Sequence, residues 1–265
     1  MLDYCRKISR FAQVPVVAIT ILAAAFLSGA ATAQTQFNLA QKAEIEKIIK
    51  DYLVKNPAVL RDALIALQKH NAAEERAKRE RAVSALGPKL INSKYQVVLG
   101  NPNGKINLVE FFDYNCGYCR RAMTDLEKLI GKNPDLRVVL KEFPVLGAPS
   151  RDAAIVASAL QLQFDGKKYW TFHRRLMATR GRVGKAQALA AARASGADMN
   201  RLAKDMENPE IIRGLQEVSA IAEALNMTGT PSYVVGQDVV IGAVGFDNLQ
   251  RRIDNLRKCG KNRCG

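Results

Sequence analysis

The sequence predicts an α/β domain with a helical insertion, preceded by an α-helical segment. Apolar residues recur at helical spacing through residues 34–92, and from residue 95 the pattern changes to short apolar strands. A helical pattern separates two of these strands, which is the order typical of a βαβ unit. The composition, with 48% hydrophobic and 25% charged residues in 265, is that of a globular protein and excludes a disordered or fibrous one.

Residues 1–33 have the three parts of a secretory signal peptide. Three basic residues precede an uncharged run, residues 14–30, and a small-x-small cleavage site ends at Ala33. We expect cleavage after Ala33, export of the chain, and no membrane span in the mature protein. An uncleaved anchor is the alternative, although the apolar run is slightly short for a span.

The formal net charge of +15 leaves nucleic acid and anionic membrane surfaces open as partners. The basic residues are, however, scattered through the chain, with no basic stripe interleaved with aromatic residues. We therefore expect no nucleic-acid partner.

Residues 34–92 are predicted to form helices. Asn38 and Gln41 have the spacing of a capping box, and Asn56-Pro57 starts a second helix. The apolar stripe at helical spacing consists of Ile45, Ile48, Ile49, Tyr52, Leu60, Leu64 and Leu67. The segment has too few large apolar residues for a core of its own, so the stripe must pack against the rest of the chain or against other copies. The second possibility makes residues 34–92 an oligomerisation stalk.

Residues 93–265 are predicted to form the α/β domain. The predicted strands are residues 95–99, Ile106–Phe112, residues 136–140, Ser232–Val235 and residues 239–241. Predicted helices cover residues 116–130, a helical insert at 150–226, and residues 246–258. The strand–helix–strand order suggests a partly parallel sheet.

The most informative motif is Cys116-Gly117-Tyr118-Cys119, which follows the strand Ile106–Phe112 and opens a helix. A spacing of three on a helix brings both sulfurs to one face, within reach of a disulfide. Cys119 lies on the apolar stripe of this helix, whereas Cys116 lies one turn earlier, where we expect it to be exposed.

This arrangement suits thiol–disulfide exchange, in which the thiolate is the nucleophile. Unsatisfied N–H groups and the positive end of the helix dipole stabilise an anion at a helix start, and Arg120 and Arg121 add positive charge. We expect the pKa of Cys116 to fall from its ordinary value of about 8.5 toward or below neutrality. Cys116 would then attack a substrate disulfide, and Cys119 would resolve the mixed disulfide.

Two other interpretations of the motif remain. The pair is half of a zinc site completed by Cys259 and Cys264, or it is an inert structural disulfide. The C-x4-C spacing at the chain end and the strand-to-helix junction argue against the zinc site, and expected exposure at a helix start, with Gly-Tyr between the cysteines, argues against the inert disulfide. We expect no metal and no cofactor, and a structural disulfide between Cys259 and Cys264. His70 and His173 are predicted to be ordinary surface or packing residues.

Two stretches, F-F-D-Y-N-C-G-Y-C-R from Phe111 and G-T-P-S-Y-V-V-G from Gly229, resemble the thioredoxin superfamily and, within it, the DsbA-like bacterial envelope proteins. The segments E-F-P-V-L-G and S-R-D-A-A are similar to the same family, and the resemblance covers roughly residues 95–258. It implies a thioredoxin-like fold, in which the helical insert 150–226 distinguishes a DsbA-like protein from plain thioredoxin. It also implies a periplasmic location.

The resemblance implies roles for further residues. Pro231 is expected to be cis and to face the disulfide, and the Thr230 backbone is expected to pair with bound substrate. Tyr118 is also expected to bind substrate. Glu110 matches a buried acid of the family, and a buried charge is costly unless it is paired or protonated. Our hypothesis is that Glu110 pairs with Lys141 and that the pair moves protons to and from the second cysteine. The alternative is that one of the two side chains points to solvent.

The sequence departs from the DsbA archetype in its Gly-Tyr dipeptide and in the threonine before the proline, which look more like DsbC-type disulfide isomerases. Residues 34–92 resemble the N-terminal stalk of ScsC-like and Com1-like relatives, which associate into oligomers. The resemblance therefore implies a homo-oligomeric thiol–disulfide oxidoreductase that acts on exported client proteins with cysteines and has a membrane redox partner. The isomerase or reductase direction is favoured. A dithiol oxidase is the first alternative, and an oligomeric holdase or scaffold with an incidental disulfide is the second.

Overall fold

The computed structural model describes residues 37–264 and divides the chain into two units, one ending at Leu64 and one beginning at Ile65. The predicted signal peptide, residues 1–33, lies outside the described residues. Within residues 37–264, no helix is long and apolar enough to cross a membrane.

The N-terminal unit consists of α1 (Leu39–Lys55) and the first turns of α2 (Pro57–Leu86). The Asn38 side chain accepts a hydrogen bond from the Gln41 N–H at 2.8 Å, and the Gln41 side chain accepts one from the Asn38 N–H at 3.0 Å, which completes the capping box. No side chain of α1 is buried. The exposed apolar residues of this unit include Ile45, Ile48, Ile49, Tyr52, Val59, Leu60 and Leu64.

The second unit contains the end of α2 and all the strands. Its elements follow in the order α3 (Pro88–Ile91), β1 (Val97–Gly100), β2 (Ile106–Phe112), α4 (Gly117–Lys132), β3 (Leu136–Glu142), α5 (Ala148–Leu160), α6 (Gly166–Met177), α7 (Lys185–Ala194), α8 (Met199–Asp205), α9 (Pro209–Ala224), β4 (Ser232–Val235), β5 (Asp238–Ile241) and α10 (Phe246–Cys259). This order confirms the predicted fold class, an α/β domain with a helical insertion that follows N-terminal helices.

The strands form one five-stranded sheet in the order β1-β3-β2-β4-β5. β2 and β3 are parallel, and α4 connects them, as the strand–helix–strand pattern predicts. The other three pairs are antiparallel. Apolar residues cover both faces: Leu108 and Phe112 lie in one buried cluster, and Val109 and Phe111 lie in a second one, which also contains Val83 of α2. This alternation assigns every residue of the central strand to a face.

Sequence patterns and observed boundaries agree at β2 and β4 and differ elsewhere by a few residues. β1 begins at Val97 and not at residue 95, because Tyr95 is drawn out of the strand by a 2.6 Å hydrogen bond from its hydroxyl to Glu210. β3 runs two residues beyond the expected end, to Glu142. The helical insert consists of α5 to α9, and its break at Asn208 is a helix cap in which the side chain accepts from the Glu210 N–H.

A disulfide joins Cys259 and Cys264 after α10, with Cα atoms 6.1 Å apart. The loop that it closes presents Asn262 to the β4–β5 hairpin. The Asn262 side chain donates to the Val235 carbonyl at 2.6 Å and accepts from the Gln237 N–H at 3.0 Å. The terminal loop therefore completes the hydrogen bonding of the hairpin turn.

Candidate active site

The turn between β2 and α4 holds Cys116 at the start of the helix. The Cys116 N–H donates to the Asp113 carbonyl at 3.0 Å, and Cys116 has extended backbone angles, which makes it the N-cap of α4. Its sulfur accepts from the Cys119 N–H at 3.4 Å. The helix therefore begins at Gly117, one residue later than the sequence pattern suggests, and the sulfur takes the place of the oxygen acceptor found at most N-caps.

Cys116 is less exposed than its position at the helix start predicts. The residue is 5% exposed and Cys119 is 1% exposed, and both are free thiols. The burial has a tertiary cause, since the segment before β4 covers the sulfur: the Thr230 carbonyl lies 3.1 Å from the Cys116 sulfur and accepts a hydrogen bond from it when Cys116 is protonated. The Thr230–Pro231 peptide bond is cis. The structure thus brings Thr230 and Pro231 to the motif across 114 residues of sequence.

The two thiols differ strongly in acidity. A hydrogen bond from the Cys119 thiol is the largest cause that lowers the pKa of Cys116, to about 5, and the Cys119 and Tyr118 N–H groups act in the same direction. Burial of Cys116 opposes the change but does not outweigh these donors. For Cys119, burial raises the pKa far above its ordinary value, and the neighbouring Cys116 raises it further. At neutral pH, Cys116 is a thiolate beside a protonated Cys119.

Tyr118 lies between the cysteines and projects outward. Its side chain is 60% exposed, and the Arg121 guanidinium lies 4.3 Å from the centre of its ring. The site therefore combines a covered sulfur with an exposed aromatic surface immediately beside it.

Glu110 lies on the face of the sheet that packs against the motif. It is opposite Tyr233 in the β2–β4 register and is 4% exposed. Burial raises the pKa of Glu110 to about 8, a hydrogen bond from Tyr233 acts in the opposite direction, and the Glu110 charge in turn raises the pKa of Cys119. Its Oε2 atom has no hydrogen-bond partner within residues 37–264. Glu110 is therefore a buried carboxyl group with an oxygen atom that can carry a proton.

The pairing of Glu110 with Lys141 is wrong. In the parallel β2–β3 register, Glu110 is opposite Leu140 and Lys141 is opposite Phe111, so the two side chains lie on opposite faces of the sheet. Lys141 is fully buried, and its Nζ donates to the Gln96 side chain at 3.1 Å. Burial lowers the pKa of Lys141 to about 8.

A polar bracket that the sequence pattern does not reveal supports the turn. The Asp113 carboxylate accepts from the Asn115 N–H at 2.7 Å, from the Ser150 hydroxyl at 2.8 Å and from the Leu146 N–H at 2.9 Å. The Asn115 side chain forms two hydrogen bonds with the backbone of Val183, at 2.7 and 2.8 Å. The D-Y-N stretch before Cys116 is the only signal for this bracket in the sequence, and its partners are 33 to 68 residues away.

A second buried polar group lies under α6. The Glu142 carboxylate accepts from the Tyr169 hydroxyl at 2.7 Å and from the Tyr114 hydroxyl at 3.2 Å, and His173 Nδ1 lies 3.1 Å from the Tyr114 hydroxyl. Burial raises the pKa of Glu142 to about 8 and lowers that of His173 to about 3. His173 is therefore a neutral packing residue, whereas His70 is an exposed surface residue beside Glu74.

Comparison with known proteins gives two family matches. Residues 107–254 match the model of the DSBA-like thioredoxin domain, and residues 41–74 match the copper resistance protein ScsC N-terminal domain. The first match covers β2 to β5 of the sheet, from the second residue of β2, and both cysteines of the motif. The second covers most of α1 and the first half of α2.

Solved structures of similar proteins agree with these matches. A thioredoxin-like oxidoreductase from Silicibacter pomeroyi DSS-3 is 41% identical, with a TM-score of 0.62, over 65% of this chain and 98% of that chain. Proteus mirabilis ScsC in a transitional conformation is 30% identical, with a TM-score of 0.58, over 81% of this chain and 94% of that chain. Among curated proteins, Na(+)/H(+) antiporter NhaA 1 of Salinispora arenicola (strain CNS-205) is 24% identical over 60% of this chain and 25% of the antiporter. The chain thus spans about a quarter of the length of the first curated relatives that it matches.

Proposed function

Because the chain belongs to the DsbA-like thioredoxin-domain family, we propose that it catalyses thiol–disulfide exchange in exported client proteins through Cys116 and Cys119. The observation that supports this most directly is the difference in acidity between two thiols one helical turn apart. An attacking sulfur must be ionised, and a resolving sulfur must wait protonated until the mixed disulfide has formed.

In the reductive direction, the Cys116 thiolate attacks one sulfur of a client disulfide. A Cys116–client bond forms, the client S–S bond breaks, and one client thiolate leaves. Cys119 then loses its proton and attacks Cys116, so the client receives two electrons and the enzyme holds a Cys116–Cys119 disulfide. In isomerisation, a second client thiol attacks the mixed disulfide before Cys119 does, and the enzyme leaves reduced.

Glu110 is the group that we propose to move protons to and from Cys119: its ionised form accepts the Cys119 proton, and its protonated form returns one. Its carboxyl group is buried on the same face of the sheet, its Oε2 atom has no hydrogen-bond partner within residues 37–264, and its charge raises the pKa of Cys119. The relay proposed here uses Glu110 alone, since Lys141 lies on the other face. Replacement of Glu110 by Gln keeps the shape and removes the proton acceptor.

Thr230, Pro231 and Tyr118 are the residues that we propose to bind the client backbone. The Thr230 carbonyl lies 3.1 Å from the Cys116 sulfur, so a client strand that pairs with the Thr230 backbone brings its own sulfur to the attacking atom. Tyr118 offers an exposed aromatic surface for a client side chain.

We favour an isomerase or reductase in the periplasm, kept reduced by a membrane partner and assembled through residues 34–92. The exposed apolar stripe on α1 and α2 supports the assembly, because an isolated amphipathic helix is marginal in water without a partner. Several catalytic faces around one cleft would hold a misfolded client during isomerisation. A dithiol oxidase is the second candidate, since stabilising the Cys116 thiolate stabilises the reduced form and makes the disulfide a stronger oxidant.

The test is refolding of scrambled-disulfide ribonuclease in a glutathione buffer by residues 34–265. Deletion of residues 34–92 is unsuitable, since it removes Val83 and Leu90 from the core. The stripe is therefore changed in the intact chain by Ile48→Glu with Leu64→Glu, both more than half exposed. The matched control is Gln68→Glu with Asn71→Glu, which makes the same change in net charge at exposed polar positions.

An isomerase recovers ribonuclease activity, and the recovery is lost in Cys116→Ser. If assembly is required, the Ile48/Leu64 variant loses both recovery and its larger sedimentation coefficient, and the control keeps both. The oxidase would be established by a different result: every variant that retains Cys116 oxidises reduced ribonuclease rapidly, and none restores activity to scrambled ribonuclease. Full protection of unfolded clients by Cys116→Ser would establish the holdase or scaffold.

A further inference from the structure

The residue before Cys116 fastens two other segments to the active-site turn. The Asn115 side chain donates to the Val183 carbonyl and to the Ser150 hydroxyl, at 2.8 and 2.9 Å, and accepts from the Val183 N–H at 2.7 Å. The loop between α6 and α7 and the start of α5 are thereby held against the turn. Val183 and Ser150 are buried, at 0% and 1% exposure.

Each of these anchored residues is next to an exposed arginine. Arg182 precedes Val183, and Arg151 follows Ser150. Neighbouring Cα atoms are about 3.8 Å apart, so each arginine is one residue from a direct contact of the turn.

Further positive charge continues around the site. Arg121 lies over the exposed Tyr118 ring, and Arg180 and Lys185 are exposed at the two ends of the α6–α7 loop. Within residues 37–264, no ion pair uses Arg121, Arg151, Arg180, Arg182 or Lys185. Residues 120–121, 151–152 and 180–185 contain one acidic side chain, Asp152, and six basic ones. Five basic side chains that have no ion-pair partner in the described part of the chain thus lie on α4 or on the segments that are fastened to the active-site turn.

We propose that these five residues form a basic rim that selects client cysteines flanked by acidic residues. The proposal rests on the exchange activity proposed above. A polypeptide fits better than a small anion because exposed apolar side chains lie beside the rim: Tyr118 is 60% exposed, and Val145 and Leu146 are 45% and 49% exposed. Leu146 is attached to the same turn through its N–H, which donates to Asp113 at 2.9 Å. A client segment can therefore place its carboxylates on the basic rim and its apolar side chains between them.

The test measures the reduction of three peptides by the reduced mature chain. Each peptide contains one intramolecular disulfide, and they differ only in whether the residues flanking the cysteines are Glu, Gln or Lys. In each reaction the peptide disulfide is reduced to two thiols while the enzyme forms its Cys116–Cys119 disulfide. Second-order rate constants are measured at about 0.02 M and about 0.5 M salt, where the screening lengths differ severalfold.

We expect the Glu peptide to react at least about tenfold faster than the Lys peptide at low salt, with the ratio approaching one at high salt. Arg151→Glu with Arg182→Glu should reverse the preference. The control is Lys167→Glu with Lys204→Glu, which makes the same change in net charge at exposed positions on α6 and α8. This control should keep the wild-type ratio.

Equal rate constants for the Glu and Lys peptides at low salt, with the Gln peptide reduced normally, would overturn the selection and leave the exchange activity standing. An equal fall in the ratio for the Arg151/Arg182 variant and for the control would also overturn it, since net charge alone would then explain the preference. If the enzyme reduces none of the three peptides, the proposed function is overturned as well.

Discussion

The acidity of Cys116 is predicted to depend chiefly on the thiol of Cys119. A hydrogen bond from that thiol is the largest cause of a pKa of about 5, ahead of the backbone N–H groups at the start of α4. Cys119→Ala removes the donor, whereas Cys119→Ser keeps a hydroxyl donor at the same position. The pair of variants therefore separates the side-chain donor from the helix itself.

A hydrogen bond to a charged group contributes about 1.5–3 kcal/mol, and one pKa unit corresponds to about 1.36 kcal/mol. Loss of the donor should therefore raise the pKa of Cys116 by about 1–2 units in Cys119→Ala, to ~6–7. Cys119→Ser should stay close to the wild-type value. The remaining N–H donors and the helix dipole keep the pKa in both variants below that of an ordinary thiol.

The assay is the pH dependence of thiolate absorbance near 240 nm, checked by the pH dependence of alkylation by iodoacetamide. Circular dichroism shows whether each variant is folded. Identical midpoints for Cys119→Ala and the wild type would refute the role of the Cys119 thiol. A wild-type midpoint near 8.5 would refute the whole electrostatic argument for Cys116.

Three further predictions concern buried groups and the terminal disulfide. Burial raises the pKa of Glu110 from 4.5 to about 8, so the folded state holds the proton across that window and stability falls as pH rises through it. Glu110→Gln should make that fall smaller in thermal unfolding curves of the oxidised protein, leaving the share of Glu142, whose pKa burial also raises to about 8. The same variant should slow the resolving step by Cys119 in stopped-flow exchange; an unchanged exchange rate would exclude the relay. Replacement of both Cys259 and Cys264 by Ser should lower the free energy of unfolding by about 2 kcal/mol in denaturant titrations, because the disulfide closes a short loop. The variant should still reduce peptide disulfides. Lys141→Met should leave the exchange rate unchanged, since Lys141 lies on the other face of the sheet; a loss comparable to that of Glu110→Gln, in a variant that unfolds like the wild type, would contradict this placement.

Much of the fold was predictable from local pattern. Ile106–Phe112 and Ser232–Val235 are apolar runs bounded by turn residues, and the observed strands have these limits. The start of α4 followed from the position of the cysteine motif after such a strand. Local pattern also identified the Asn38 capping box and the break at Asn56-Pro57.

The failures share a physical cause, which is dependence on distant contacts. β2 and β3 are buried on both faces, so the apolar pattern carries no information on which face Glu110 and Lys141 occupy. Only the register between the strands decides this, and it places them apart. The burial of Cys116 depends on Thr230, which approaches from the other end of the domain.

The polar bracket around Asn115 was equally inaccessible from sequence. An asparagine beside a cysteine has no distinctive local pattern, and its partner Val183 is an apolar residue that participates through its backbone. Glu142 is a similar case, since a carboxylate at the end of a strand is ordinarily read as exposed. In the structure two tyrosine hydroxyls bind it, and it is 4% exposed.

The central claim is that Cys116 attacks and Cys119 resolves. The most direct measurement is mass spectrometry of the species trapped when reduced Cys119→Ala and Cys116→Ala chains react with a peptide disulfide at pH 7. The account predicts that Cys119→Ala accumulates a mixed disulfide between the peptide and Cys116, and that Cys116→Ala accumulates almost none, because the Cys119 thiol stays protonated. Equal trapping by both variants, or trapping on Cys119 alone, would contradict the account.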